Sequence, residues 1–236
     1  NYLHSLIPLV AIAATLTAHA ATKSFTDGNS TNWTTVVPTN GTTADPDAGG
    51  GGSQATTLVP TGGNPDAYLN IRLNIGSNSR VVETFSFDAS FTHNPATQGP
   101  INFLDYAFDR RRGASNNAGN AQAYGLGIAQ NGIHYRIYNA DNSQTWETIS
   151  ETGVVASAFV VYQGEADEAA SGGFETPDFS ATGAPITFGY YRGNSTVWSS
   201  AFVEGYVDNF SVTLDVTPVP EPAALGGLFG LAALLV

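Results

Sequence analysis

An all-β fold, an antiparallel β-sandwich of the jelly-roll kind, is what this chain predicts, on three observations. Apolar residues recur with a period of two, the spacing of a strand with one buried face. The segments that carry them are short and are divided by Asn-Gly, Gly-Gly, Asn-Pro and Asp-Asn-Ser clusters, which favour turns. The chain holds 26 Gly and 12 Pro against 12% charged residues, and no amphipathic helical pattern of useful length interrupts the strands. Many short strands with turns between them pack as two layers. An apolar segment at each end adds an N-terminal signal helix and a C-terminal transmembrane helix that is cut short.

Leu3 to Thr17 is an apolar run followed by Ala18-His19-Ala20, a small-x-small site of the type signal peptidase cuts. Residues 1–20 are therefore expected to be a signal peptide. Its basic front and an initiator methionine are missing, so more chain is expected ahead of Asn1. Residues 21–217 read as a single sandwich domain, about the size at which one core suffices. Inside it, Asn40 to Asn64 holds Asp45-Pro46-Asp47 and Gly49-Gly50-Gly51-Gly52, with little to bury, and is expected to be a mobile Gly-rich loop with at most a partly ordered edge.

The clearest strand is Val81 to Phe91, where Phe85, Phe87, Ala89 and Phe91 fall on one face and Thr84, Ser86, Asp88 and Ser90 on the other. Further strands are predicted at Tyr68–Ile75, Ile101–Phe108, Ala123–Ala129, His134–Tyr138, Thr145–Ile149, Ser157–Tyr162, Ile186–Arg192 and Gly205–Leu214. Asn131-Gly132 between two apolar runs is a hairpin signal. A net charge of −12 argues against a nucleic-acid partner and against electrostatic attraction to anionic lipid. Without cysteine there are no disulfides and no thiolate metal sites.

Residues 218–236 form the last segment. Val219-Pro220-Glu221-Pro222 runs into Ala223 to Val236, an uncharged apolar stretch. The prolines hold the chain extended and place a helix start just after Pro222. The stretch is roughly 14 residues, or about 20 Å of helix, shorter than a hydrocarbon core requires, so further residues and a basic tail are expected beyond Val236. The segment resembles the PEP-CTERM sorting signal of Gram-negative bacteria. That resemblance implies an exosortase-type protease and the membrane as partners during export, transient anchoring, and delivery to the cell surface or a biofilm matrix. It identifies a route and leaves the activity open.

A second resemblance rests on the two ends of the domain. Phe25-Thr26-Asp27-Gly28 with Asn32-Trp33, paired with Gly205-Tyr206-Val207-Asp208-Asn209-Phe210-Ser211-Val212, is similar to bacterial jelly-roll modules of the galactose-binding and concanavalin-like type. Several such families bind carbohydrate or hold a structural calcium ion. Asp208 shares parity with Tyr206, Phe210, Val212 and Leu214, so a carboxylate stands at the margin of the core face and needs a partner. A calcium ion held with carbonyls and Asp27 would satisfy it; so would an arginine such as Arg192, or exposure at a strand end.

A catalytic set is not found. Glu165-Ala166-Asp167-Glu168 lacks the alternating carboxylates of a retaining β-glucanase, because position 169 is Ala and Glu168 points the wrong way. His93 and His134 are too few for a histidine metal site, and no Gly-x-Ser-x-Gly elbow is present. The chain therefore reads as a non-enzyme with no cofactor beyond that calcium ion. Binding candidates are aromatic: Trp33, Trp146 and Trp198, with Arg192 beside the last in a polar connection, could meet sugar rings. Arg110-Arg111-Arg112 gathers scarce positive charge that would suit an acidic polysaccharide or simply balance the protein's own acids. Two classes follow, a structural or adhesive matrix protein and a carbohydrate-binding module. They differ in whether exposed aromatics stand with convergent polar groups.

Overall fold

Alternating burial along the strands builds two facing sheets around one apolar layer. The computed structural model describes residues 20–27, 32–36, 42–44, 53–75, 79–116, 122–162, 172, 175–195 and 200–219. Residues 1–19 of the expected signal peptide, the expected tail helix after Pro222 and the acidic stretch 165–168 lie outside them. All described residues belong to one compact unit, Ala20–Val219.

The strands are β1 (Ala21–Asp27), β2 (Thr34–Val36), β3 (Thr42–Ala44), β4 (Ser53–Val59), β5 (Tyr68–Ile75), β6 (Ser79–His93), β7 (Ile101–Ser115), β8 (Gln122–Gln130), β9 (Ile133–Asp141), β10 (Glu147–Val154), β11 (Val160–Val161), β12 (Ile186–Ser195) and β13 (Ala201–Val216). One sheet runs β10-β7-β13-β5-β4, with β1 also on β13; the other runs β11-β9-β8-β12-β6-β2, with β3 also on β6. Every pairing among the described strands is antiparallel. Between the sheets lie Ile71, Leu73, Phe108, Val203 and Val212 from the first and Leu126, Ile128, Phe188 and Tyr190 from the second. Each such side chain contributes roughly 1.5–3 kcal/mol by leaving water. The β8–β9 hairpin turns at Asn131 (φ 55°) and Gly132 (φ 80°), the two left-handed residues that a type I′ turn demands.

Six expectations need correction. Phe85, Phe87 and Phe91 do not share a face. Opposite β12 the register slips between Thr187 and Gly189, and the bulge turns Phe91 into the core while Phe85 and Phe87 join Tyr162 and Tyr191 in a separate outer cluster. Asp88 holds this bulge by accepting from Ser90 N (2.8 Å) and Ser90 Oγ (2.7 Å). Tyr206 and Phe210 are separated in the same way, because β13 shifts register between Asp208 and Ser211 and Asn209 adopts φ 52°.

The other four corrections concern boundaries. The stretch expected as a Gly-rich loop contributes β3 and β4; Ser, Thr and Gln suit an edge strand whose outer side faces water. Arg110-Arg111-Arg112 does not end a strand but lies within β7. Arg110 and Arg112 consequently point inward and are buried, and Arg111 points out. Thr145–Ile149 shifts to β10, and Ser157–Tyr162 divides into a 3-10 turn at Ala156–Ala158 and the two-residue β11.

Candidate functional site

The outer face of the first sheet carries an aromatic cluster that its strands place by parity. Tyr206 on β13 stands across from Arg111 on β7 and Asn70 on β5. Tyr68 begins β5, and Trp146 comes from the connection just before β10. The Tyr68 ring meets Tyr206 at 4.8 Å and Trp146 edge-on at 5.7 Å, and Trp146 meets Tyr206 at 6.5 Å. The Arg111 guanidinium lies 5.0 Å from the Trp146 centroid and 4.9 Å from that of Tyr206, within the range of cation–π attraction. Trp146, Arg111 and Tyr206 are each partly exposed, and Tyr68 is nearly buried beneath them.

Local contacts fix this arrangement. Trp146 Nε1 donates to the Gly62 carbonyl at 3.4 Å. The Tyr206 ring lies over Gly113, where a Cβ would come within 2.3 Å of Tyr206 Cζ, so a side chain there would displace the ring. The Tyr206 hydroxyl donates to Glu204 at 3.1 Å. Burial and this carboxylate push its pKa up to about 12, and it remains a neutral donor at ordinary pH. At the margin, Asp109 accepts from Asn64 Nδ2 (3.0 Å), Asn209 Nδ2 (2.7 Å) and Thr148 Oγ1. Such an arrangement offers flat apolar faces flanked by fixed hydrogen-bonding groups.

Trp146 is thus the sequence-predicted aromatic that stands at a partly open surface. Trp33 packs its ring against Tyr190 (4.6 Å), Phe210 (5.1 Å) and Phe91 (5.5 Å), so it is largely a core residue. Its edge reaches an open cleft of about 380 Å³ between β2 and β4, walled also by Thr35, Gln54, Thr56 and Leu58. Trp198 lies outside the described residues. Arg192 is fully buried and stacks on Tyr124 at 4.5 Å; a ligand at the surface would not reach it. Of the four residues expected to form a sorting motif, Val219 is described and exposed, and Pro220, Glu221 and Pro222 lie outside the described residues.

Asp208 is fully buried, and its need is met by backbone donors. Oδ2 accepts from Asn64 N at 2.7 Å and Oδ1 from Asn209 N at 2.8 Å. Burial raises its pKa to about 6 against those two hydrogen bonds, and the charges of Asp109 and Asp27 push the same way. Asp27 accepts from Trp33 Nε1. Among the described residues no three His, Asp or Glu side chains gather closely enough to hold a metal ion.

The second sheet carries its own outer cluster. Arg136 lies 5.3 Å from the Tyr191 centroid, 5.8 Å from Tyr162 and 5.4 Å from Tyr138, and pairs with Glu83 at 3.3 Å. Tyr191 donates its hydroxyl to Glu83. Desolvation raises the Glu83 pKa against the pull of Arg136 and Tyr191, and burial beside Glu83 raises that of Tyr191 far above the phenol range. Glu83, Phe85, Phe87, Arg136, Tyr162 and Tyr191 are all buried; Tyr138, 47% exposed, is the open ring.

Tyr68, Tyr206 and Arg111 were not singled out from the sequence as a unit. Strand parity on β5, β7 and β13 gathers them, and that required the β7 extension and the β13 bulge. No family model and no curated protein matches the chain. Solved structures with a similar outline include a family 11 carbohydrate-binding module from Clostridium thermocellum in complex with a β-1,3-1,4-mixed-linked tetrasaccharide (16% identity, 84% of this chain and 98% of that one, TM-score 0.42). A carbohydrate-binding module described for specific mannan recognition aligns at 10% identity over 84% of this chain and 100% of that one (TM-score 0.40). A protein of unknown function from Shewanella oneidensis MR-1 aligns at 10% identity over 92% and 99% (TM-score 0.42). At these scores the functional reading rests on the side chains of this chain alone.

Proposed function

We propose that this chain is a non-catalytic, exported carbohydrate-binding protein whose β-sandwich holds a glycan against Trp146 and Tyr206. One observation carries the reading: a partly exposed Trp146, locked to Tyr68 and Tyr206 on rigid strands and flanked by fixed polar groups. The apolar face of a sugar ring packs on such rings, and hydroxyl groups find donors and acceptors at the rim. Preorganisation lowers the entropy lost on binding.

Export rests on a different observation, the Val219-Pro220-Glu221-Pro222 motif before an apolar stretch. It supports sorting through an exosortase-type protease to a surface or matrix rich in polysaccharide, where a glycan binder would serve as an adhesive component. A glycan array on the purified full chain tests the binding. Selective signals from a subset of glycans, lost in Trp146→Ala at unchanged melting temperature, are the expected result. Uniformly flat signals from the folded protein would exclude the carbohydrate role and leave the matrix role alone.

A further inference from the structure

The arginines of this protein differ in what their charge meets. Arg110 pairs with Glu147 at 2.9 Å and with Asp141. Arg72 pairs with Glu204 at 3.7 Å and donates to Asn74 at 3.0 Å. Arg112 lies 3.5 Å from the Asn142 side-chain oxygen, Arg136 pairs with Glu83, and Arg192 is sealed in the core. Arg111 is both partly exposed and, among the described residues, without a carboxylate or amide oxygen on its guanidinium; its contacts are two aromatic rings.

The carboxylates of Glu204 and Asp109 share its face, and both are engaged elsewhere. Glu204 takes the Tyr206 hydroxyl and Arg72. Asp109 is saturated by Asn64, Asn209 and Thr148. The two rings lie within cation–π range of the Arg111 guanidinium but take none of its N–H donors as a carboxylate would, and those donors suit a planar, two-oxygen acceptor. A guanidinium held beside a sugar-stacking ring is positioned for an acid carried on a sugar.

We propose, resting on the carbohydrate-binding reading of this same face, that the ligand is a uronate-bearing polysaccharide, one sugar ring stacking on Trp146 while its carboxylate meets the edge of Arg111. A protein of net charge −12 repels a polyanion at long range, so such selectivity has to be local and geometric. Affinity for the acidic chain therefore depends on this one contact rather than on overall charge.

The test is titration calorimetry of the full chain at low salt with size-matched oligomers, oligogalacturonate against neutral oligogalactan, with poly-L-glutamate as a sugar-free polyanion. Wild type is expected to bind the uronate oligomer about tenfold more tightly than the neutral one, a ratio typical of one well-placed charge-assisted contact. In Arg111→Gln that ratio is expected to fall to about one. Arg72→Gln removes the same charge from the same face and is expected to keep the ratio. Thermal melting checks that each variant folds.

Equal binding of neutral and uronate oligomers by wild type would overturn this inference and leave the carbohydrate function standing; no binding to any glycan would overturn both. Poly-L-glutamate binding as tightly as oligogalacturonate would show that the sugar is irrelevant and overturn it too. A ratio that collapses equally in Arg72→Gln would make the effect one of bulk charge, and would also overturn it.

Discussion

The two outer faces of the sandwich use the same ingredients to opposite ends. On the second sheet, Arg136 sits among Tyr138, Tyr162 and Tyr191, is paired with Glu83, and is almost wholly buried. On the first sheet, Arg111 lies near Trp146 and Tyr206, with no carboxylate on it among the described residues, and is partly open to water. The first arrangement is closed but for Tyr138: its charge is neutralised internally, and Tyr162 and Tyr191 belong to a satellite core. The second leaves its charge without an acid partner among the described residues, the feature on which the proposed binding rests. An arginine among aromatics is structural when its acid comes from the protein, and available when it does not.

Breaking the closed face has the largest expected effect. Glu83→Ala leaves the buried Arg136 uncompensated and the Tyr191 hydroxyl without its acceptor. Unfolding in urea is expected to show a loss of about 3 kcal/mol, whereas Arg111→Gln on the open face should stay within about 0.5 kcal/mol of wild type. Equal losses would erase the distinction between the faces.

Next comes Gly113→Ala, which puts a methyl group against the Tyr206 ring. We expect a loss of roughly 1–3 kcal/mol from overpacking, together with weaker glycan binding. A substitution that costs stability but leaves binding intact would separate Tyr206 from the site.

Asp208, beside the same face, gives a pH dependence. Its folded pKa, raised to about 6, exceeds the ordinary carboxylate value, so the native state holds the proton more tightly than the unfolded chain. Stability is therefore expected to rise as pH falls from about 6 toward 4, and to decline as pH rises through about 6. After solvent screening the change is roughly 1–2 kcal/mol. Asp208→Asn should flatten this part of the denaturation profile; an unaltered slope would show that another group titrates. The smallest effect is assigned to calcium, whose addition or chelation is expected to move the melting temperature by less than about 1 °C.

Much of the sandwich was legible in the chain. Turn chemistry located the β8–β9 hairpin at Asn131-Gly132, and alternation located the cores of β5, β7, β12 and β13. The bulges in β6 and β13 were not legible, because a period of two carries no mark at the position where extra residues enter. One slip reassigns every side chain beyond it. That is why Phe85 and Phe87 leave the core face and why Tyr206 turns outward. Trp146 could be named from the sequence as one of three tryptophans, although the predicted strand Thr145–Ile149 included it and the structure leaves it just ahead of β10. Arg111 could not, since adjacent arginines look alike until strand parity buries Arg110 and Arg112 and exposes the residue between them. Arg192 misled for the converse reason: nothing in its sequence neighbourhood shows that Tyr124 waits inside to receive it.

The central claim, that Trp146 and Tyr206 form a sugar platform, is most directly tested by calorimetric titration of wild type and Trp146→Ala with the strongest array ligand. The account predicts measurable binding by wild type and an affinity at least about tenfold lower in the variant, as expected for the loss of one aromatic stacking partner, with both proteins melting together. Equal affinity in the two proteins would contradict it.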